Sequence, residues 1–174
     1  PSGYQGYVKD ITTEVSATEK VYHLATRDTM TGLLNYSEFK KRAGGLLEDL
    51  DVGDDVAVFL FLDADNLKTV NDNFGHAVGD RLIETIANRL ERHLPRDSLV
   101  ARKGGDEFVV LLRGDADLKA DPFSAELMAA INRSFRCGEM EIPISCCIGI
   151  STSAFADACL QDLELEADRA LYHA

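Results

Sequence analysis

The sequence predicts an α+β fold in which helices flank a central antiparallel sheet. The continuous apolar run at residues 56–62 is typical of a central strand that is buried on both faces. Two shorter apolar runs, 99–101 and 108–112, surround a glycine pair at 104–105, which predicts a β-hairpin. Segments with helical periodicity separate these strands along the chain, so helices are expected to connect them.

The first half of the chain is predicted to alternate between helices and the central strand. A helix covers 36–50, and the strand at 56–62 follows it. A short helix, a loop at 75–79 and a long amphipathic helix come next, with Asp80 near the N-terminus of the long helix as a cap or dipole partner. The apolar positions of these helices are Phe39, Ala43, Leu46, Leu47 and Leu50, then Leu67, Val70 and Phe74, then Leu82, Ile83, Ile86, Leu90 and Leu94.

The second half is predicted to hold the hairpin, a helix, a strand and a final helix. The first of these helices is marked by Phe123, Leu127, Ile131 and Phe135, the strand spans 142–150, and the last helix runs from about Leu160 with Leu163, Ala167, Ala170 and Leu171 inward. The resulting order is β-α-α-β-β-α-β-α. A helix between strands on either side of a central hairpin is typical of the split βαβ, ferredoxin-like arrangement.

Composition and charge restrict the possible functions. The chain has 174 residues, 45% of them apolar, which suits one domain with a short appendage. Its net charge of −12 argues against a nucleic-acid or anionic membrane surface, although bound Mg²⁺ could reverse the local charge for a nucleotide. No apolar run reaches the ~20 residues of a membrane span, so no direct membrane contact is expected.

The cysteines have no metal-ligand spacing. Cys137, Cys146, Cys147 and Cys159 are expected to be reduced and mostly buried thiols of a cytoplasmic protein, which could still be tethered through a longer chain. Cys146 and Cys147 are adjacent in an apolar run, so they should point to opposite faces of a strand.

The glycine turn of the predicted hairpin carries two adjacent acids. Gly104 and Gly105 allow positive φ and leave no side chain between the backbone and a ligand. Asp106 and Glu107 follow, and their mutual repulsion would be relieved by a divalent cation. The alternative interpretation is an ordinary solvated turn.

A second polar group follows the central strand. Asp63 and Asp65 stand one residue apart, so both would face the same side of an extended chain. Lys68 and Asn71 share one helical face. A carboxylate, a lysine and an amide suit Mg²⁺, phosphate and a purine edge, respectively. The alternative interpretation is an acidic loop before a helix. His76 could have either a structural role or a contact with a ligand.

In combination, these motifs resemble those of GGDEF domains, the catalytic module of diguanylate cyclases. The resemblance covers residues 27–174, and 1–26 resembles the tail of a PAS-like sensor followed by a linker helix. The seam of that helix would be Ile11, Val15, Thr18, Tyr22 and Ala25. The matching motifs are residues 28–35, 63–68, 71–76, Gly79 with Asp80, 104–108, 145–150 and 167–172. The fold implied is that of nucleotide cyclases and polymerase palms.

The resemblance also implies roles for individual residues. Mg²⁺ (or Mn²⁺) would be coordinated by Asp63, Asp106, the Ala64 carbonyl and Glu107. Asp106 would also help to remove the proton of the attacking hydroxyl, and Lys68 would stabilise charge that develops on the phosphates. The remaining substrate contacts implied are Asn71 and Asp80 to guanine, His76 to a phosphate or the base, Gly104 and Gly105 to the α- and β-phosphates, and Met30 in the base pocket.

The implied reaction joins two GTP molecules into cyclic di-GMP with release of two pyrophosphates, and it requires a homodimer because each domain holds one GTP. One alternative is a catalytically silent, GTP-binding regulatory module attached to a downstream phosphodiesterase domain. Another is a cyclic di-GMP receptor. Incubation with GTP and Mg²⁺ would distinguish these functions.

The chain departs from the family pattern in three places. Tyr36 stands where an Arg is common. The Arg-x-x-Asp motif of product inhibition is replaced by Pro95 and Ser98, with Arg96-Asp97 out of register, so feedback inhibition of the usual kind is not expected. The final helix usually continues into a Lys and an Arg that reach the phosphates, so the domain is expected to be truncated at its C-terminal end.

Overall fold

A computed structural model describes residues 20–50, 55–115, 120–153 and 159–173. The strands are β1 (Leu34–Asn35), β2 (Asp55–Asp65), β3 (Leu99–Gly104), β4 (Glu107–Asp115), β5 (Phe135–Cys137), β6 (Met140–Ile142) and β7 (Ser145–Ser153). The helices are α1 (Tyr36–Glu48), α2 (Leu67–Phe74), α3 (His76–His93), α4 (Ala120–Ile131) and α5 (Leu160–Tyr172). Residues 20–26 are also helical.

The main sheet has five strands in the order β1-β3-β4-β2-β7. Strand β2 is central and antiparallel to both β4 and β7, and β3 and β4 form the predicted antiparallel hairpin. The order β3-β4-β2-β7 confirms the predicted split βαβ arrangement. Strand β1 was not predicted, and because it pairs in parallel with β3, the sheet is mixed rather than wholly antiparallel. Strands β5 and β6 form a separate hairpin.

Two apolar layers lie on opposite faces of this sheet. Alternate side chains of β2 enter them, with Leu60 and Leu62 in one layer and Phe59 and Phe61 in the other. The first layer is completed by α2, α3 and α4, and the second by α1 and α5. Burial on both faces explains why β2 has a continuous apolar sequence, as predicted. The C-terminal end of β2 therefore emerges between two groups of helices.

The predicted loop at 75–79 is wrong. Gly75 has φ of +86°, and it ends α2 and begins α3 as a single residue. Because glycine adopts positive φ without steric cost, the chain can reverse there without further loop residues. Asp80 consequently lies inside α3 and does not cap it.

Two predicted boundaries near the C-terminal half are also wrong. Helix α4 ends at Ile131, and Phe135 belongs to β5. The Arg89 guanidinium donates hydrogen bonds to the carbonyl oxygens of Ile131 at 2.6 Å and Ser134 at 3.0 Å, which satisfies carbonyl groups where the helix ends. Pro143, which has no N–H, separates Ile142 in β6 from β7. Helix α1 likewise ends at Glu48 rather than at residue 50.

The cysteines and the N-terminal segment complete the comparison with expectation. All four cysteines are free, but only Cys146 is buried and Cys159 is exposed, so the prediction of mostly buried thiols is wrong. Cys146 and Cys147 face opposite sides of β7, as predicted. The sensor tail and most of the linker seam lie outside the described residues. Within the described part of the chain, no helix is long and apolar enough to cross a membrane.

Candidate active site

The acidic turn between β3 and β4 is fixed to the end of β2. Gly104 and Gly105 have φ of +156° and +55°, backbone conformations that residues other than glycine rarely adopt. The backbone N–H of Ala64 donates a hydrogen bond of 3.1 Å to the carbonyl oxygen of Asp106. The turn predicted from the glycine pair therefore meets the strand end predicted from the apolar run.

Strand pairing gathers the acids on one face of the sheet. In the β2–β4 register Asp63 lies directly opposite Glu107, and in the β2–β7 register it lies opposite Cys147. Asp63 and Asp65 flank buried Ala64, so they share a face as predicted. Burial raises the pKa of Asp63, and the charges of Asp106, Glu107 and Asp65 raise it further. The geometry therefore concentrates negative charge at this end of β2.

Asp65 differs from Asp63 in its hydrogen bonds. Its Oδ2 accepts a hydrogen bond of 2.8 Å from the Ser145 hydroxyl and one of 3.5 Å from the Cys147 thiol. Burial and the bond to Asp65 raise the pKa of Cys147, so this thiol is poorly suited to act as a thiolate ligand. Asp63 is consequently the better candidate of the two aspartates for a cation.

The donor chemistry fits Mg²⁺ or Mn²⁺. Carboxylate and backbone carbonyl oxygens are the ligands of hard divalent cations, and those are the groups at this strand end. Across the described ranges, no three His, Cys, Asp or Glu side chains already form a metal-binding group. Mg²⁺ is commonly held by one or two carboxylates together with substrate phosphates, so a site that is completed by the nucleotide is consistent with this arrangement.

A cavity of about 620 Å³ opens beside these acids. Its lining residues are Phe61, Asp63, Asp65, Glu107 and Cys147 from the sheet, with Asp168, Arg169, Leu171, Tyr172 and His173 from the end of α5. Four of these side chains are acidic and two, Arg169 and His173, can be basic. A polyphosphate could enter this cavity only with additional cations.

The other flank of the site is built by α2 and α3. Asn71 of α2 packs so tightly on Gly79 of α3 that a Cβ at Gly79 would overlap the Asn71 Oδ1 atom. That Oδ1 atom is buried and has no hydrogen-bond partner. Asp80 follows Gly79 and is exposed. The structure thus brings Asn71 and Asp80 to adjoining helices, with Asn71 Oδ1 directed at Gly79.

Lys68 and His76 are less closely tied to the site. Lys68 is exposed on α2, one turn before Asn71, as predicted. His76 is exposed and is the first residue of α3. Both side chains lie on the α2–α3 flank, and neither makes a side-chain hydrogen bond or ion pair with another described residue. Their predicted contacts to phosphate or base stay predictions.

Arg102 is a site residue that the sequence did not single out. Its guanidinium donates to the carbonyl oxygen of Gly105, contacts Asp28 Oδ1 at 3.3 Å and lies 3.2 Å from Met30 Sδ. Burial raises the pKa of Asp28, but hydrogen bonds from Thr31 and the charge of Arg102 outweigh burial and hold the pKa below its usual value. Arg102 therefore connects the acidic turn with the segment that carries Met30.

Tyr36, the residue that replaces a common Arg, has a defined environment. Its hydroxyl donates a 2.7 Å hydrogen bond to Glu164 Oε1 on α5. The ammonium groups of Lys40 and Lys103 lie 4.9 Å and 5.9 Å from its ring centroid. Burial raises the pKa of Tyr36, and the bond and charge of Glu164 raise it further, so the phenol stays protonated.

A second cavity, of about 630 Å³, lies away from the acidic turn. Pro95 and Ser98, the positions of the missing inhibition motif, line it together with three arginines, Arg27, Arg42 and Arg96. Arg42 is already paired with Glu38 at 2.8 Å. Glu91 and Asp97 line it as well, so the cavity has side chains of both charges and lacks the Arg-x-x-Asp pair.

Comparisons with known proteins agree with this geometry. Residues 25–174 match the family described as "Diguanylate cyclase, GGDEF domain". The chain is 33% identical over 165 residues to the cyclic di-GMP phosphodiesterase PdeR of Escherichia coli strain K12, covering 95% of this chain and 25% of that protein. It is 39% identical over 117 residues to the diguanylate cyclase TpbB of Pseudomonas aeruginosa, covering 64% of this chain and 27% of that protein.

Comparison with a solved structure also indicates the GGDEF fold. The fold is similar to a sensory box/GGDEF family protein from Caulobacter crescentus, with a TM-score of 0.71 and 30% identity, over 86% of this chain and 97% of that one. The chain spans only about a quarter of the length of the curated relatives named above.

Proposed function

The chain belongs to the GGDEF domain family of diguanylate cyclases, and on that premise we propose that it condenses two GTP molecules into cyclic di-GMP and two pyrophosphates. One observation carries the proposal. The glycine turn with Asp106 and Glu107 is bonded to the end of β2, beside Asp63. At this end of β2, the glycine backbone, the carboxylates and a backbone carbonyl oxygen are close enough to contact the same nucleotide.

Guanine is recognised on the α2–α3 flank. The Asn71 amide, once its Oδ1 atom turns away from Gly79, accepts one N–H of the base, and the Asp80 carboxylate accepts two. Adenine does not present that pair of donors, so the contact with Asp80 favours GTP over ATP. Met30 lines the base pocket, and His76 contacts a phosphate or the base.

The phosphates extend from this flank across the turn. Gly104 and Gly105 have no side chains, so the α- and β-phosphates approach their backbone, and Lys68 stabilises the charge that develops on the phosphates. Asp63, the Ala64 carbonyl oxygen, Asp106 and Glu107 would hold Mg²⁺ or Mn²⁺. When bound, this cation would lower the charge on the phosphates and the leaving pyrophosphate.

The reaction consists of two equivalent displacements. The 3′-oxygen of one GTP attacks the α-phosphorus of the other, its proton passes to Asp106, and the bond to the pyrophosphate oxygen breaks. The 3′-oxygen of the second GTP then attacks the α-phosphorus of the first in the same way, which closes the ring and releases the second pyrophosphate. Because one domain holds one GTP, two copies must face each other, and positioning provides much of the rate.

Incubation of the protein with GTP and Mg²⁺, followed by chromatography, tests the proposal. We expect cyclic di-GMP and pyrophosphate in a ratio of one to two. Asp106→Ala should abolish product, whereas Glu84→Ala, at an exposed position on α3, should leave it unchanged. Turnover by Asp106→Ala would contradict the role of that residue, and absence of product from a dimeric wild-type protein would contradict the activity.

The second candidate function is a GTP-binding regulatory module without turnover. It is favoured by the similarity to PdeR, a cyclic di-GMP phosphodiesterase of which this chain would cover one quarter. In that case, the partners would be a downstream phosphodiesterase domain and an upstream sensor. GTP binding without product, together with a GTP-dependent change in the phosphodiesterase activity of the longer protein, would support this function over the cyclase.

A further inference from the structure

Lys103 lies over two aromatic rings, one of which lines the acidic cavity. Its Nζ atom lies 4.2 Å from the ring centroid of Phe61 and 5.9 Å from that of Tyr36. Phe61 itself lines the cavity beside Asp63 and Glu107. A cation over an aromatic face is attracted by the electron density of the ring, so these two rings hold the ammonium group near the cavity.

The ammonium group is not committed to a protein anion. Within residues 20–50, 55–115, 120–153 and 159–173, Lys103 forms no ion pair, although it is exposed. The nearby Glu164 carboxylate accepts the hydroxyl hydrogen of Tyr36 instead. That bond also fixes the ring of Tyr36 on which Lys103 lies. Lys103 is therefore held in position with its hydrogen-bond donors available.

The two lysines near the site approach it from opposite faces of the sheet. Lys68 is on α2, which packs on the apolar layer that contains Leu60 and Leu62. Lys103 covers Phe61, which belongs to the other layer. If the base of a nucleotide lies on the α2–α3 flank, as proposed above, Lys68 is on the side of the base. Outer phosphates that pass the glycine turn would then enter the cavity on the side of Lys103.

We infer that Lys103 binds the outer phosphates of GTP and makes the site selective for a triphosphate over a monophosphate; this rests on the proposed function. The cavity is lined by four acids against Arg169 and His173, so a triphosphate needs a cation there besides any bound metal. Lys103 provides that charge from its position over Phe61. A lysine suits this role because its ammonium group is a compact charge on a flexible stem.

The test compares two nucleotides that cannot react. 3′-Deoxy-GTP and 3′-deoxy-GMP lack the attacking hydroxyl, so calorimetry with Mg²⁺ measures binding without turnover. We expect Lys103→Gln to weaken 3′-deoxy-GTP about ten-fold, the loss of one charge-assisted contact, and to leave 3′-deoxy-GMP unchanged. Lys103→Arg should restore most of the affinity. Lys40→Gln is the matched control, because Lys40 lies over the ring of Tyr36, whereas the lysine over Phe61, which lines the cavity, is Lys103.

Each outcome bears on the inference. Equal weakening of both nucleotides, or a parallel loss of thermal stability, would assign Lys103 a structural role and overturn it. Unchanged affinity for 3′-deoxy-GTP in Lys103→Gln, with wild-type protein that still condenses GTP, would overturn the inference and leave the proposed function standing. Wild-type protein that binds neither nucleotide would overturn both.

Discussion

Arg102 donates two hydrogen bonds to the carbonyl oxygen of Gly105, from Nε at 3.1 Å and from Nη2 at 2.7 Å. The same guanidinium contacts Asp28 and Met30. These bonds fix the backbone of the turn that carries Asp106, and the positive φ of Gly105 itself has no steric cost. Arg102 thereby links the turn to the predicted base pocket.

Replacement of Arg102 by lysine should distinguish the effect of its two hydrogen bonds to Gly105 from the effect of its positive charge. An ammonium group cannot reproduce the two directed N–H donors toward one carbonyl oxygen while it also reaches Asp28. We expect kcat for cyclic di-GMP formation to fall about ten-fold and the free energy of unfolding to fall by about 1–2 kcal/mol. Arg92→Lys on α3 is the control. Unchanged kcat in Arg102→Lys would refute the role of these hydrogen bonds.

Asn71→Ala should change stability and nucleotide binding in different ways. The Oδ1 atom of Asn71 is buried without a partner, so its removal should leave the free energy of unfolding nearly unchanged. GTP affinity should fall about ten-fold because a hydrogen bond to the base is lost. Urea unfolding and calorimetry measure the two effects, with exposed Asn73→Ala as the control. A large loss of stability would show that Asn71 is structural.

Gly149→Ala should strongly destabilise the domain. A Cβ at Gly149 would overlap the carbonyl oxygen of Ala167 and lie 2.7 Å from the backbone nitrogen of Leu171, so α5 would have to move away from β7. We expect a loss of at least about 3 kcal/mol. Gly44→Ala, in α1 with nothing within 4 Å of the added atom, should instead be neutral or stabilise by up to about 1 kcal/mol. Urea denaturation of both variants tests the contrast.

The predictable part of the fold is the part that depends on apolar periodicity. The continuous run of β2 and the amphipathic pattern of α3 identified both elements, because burial dictates those sequences. Boundaries were missed where single backbone groups decide them, at Gly75, at Pro143 and at the carbonyl groups bonded to Arg89. Periodicity has no information about such groups, and the two-residue strand β1 is too short to have a period.

The candidate site shows the same division. The residue types of the acidic turn and of Asp63 indicated a cation site, and the family resemblance assigned their roles. That Asp63 lies opposite Glu107 depends on strand register. The contact of Lys103 with Phe61 depends on two pairings, because β4 lies between the strands that carry these residues. Both are long-range relationships, which local spacing in one sequence does not specify.

Cyclic di-GMP should inhibit this chain only by competition with GTP. At the positions of the family's inhibition motif, Pro95 has no guanidinium and Ser98 has no carboxylate, so the paired contacts to the product are missing. Initial rates at increasing GTP should therefore converge to one maximal rate at every product concentration. A lower maximal rate at saturating GTP would show that the arginine-lined cavity binds the product by other contacts.

Acid should weaken the Asp28–Arg102 contact. Hydrogen bonds from Thr31 and the charge of Arg102 lower the folded-state pKa of Asp28 despite its burial. A carboxylate whose pKa is lower in the folded state stabilises the protein above its unfolded pKa of about 3.9, and this stabilisation is lost as pH falls through the folded value. Wild type should therefore exceed Asp28→Asn in free energy of unfolding at pH 7, and the difference should shrink below pH ~4. Urea unfolding at several pH values measures it, with Asp72→Asn on α2 as the control. A difference between wild type and Asp28→Asn that is constant from pH 7 to ~2.5 would refute the ionic contribution of Asp28.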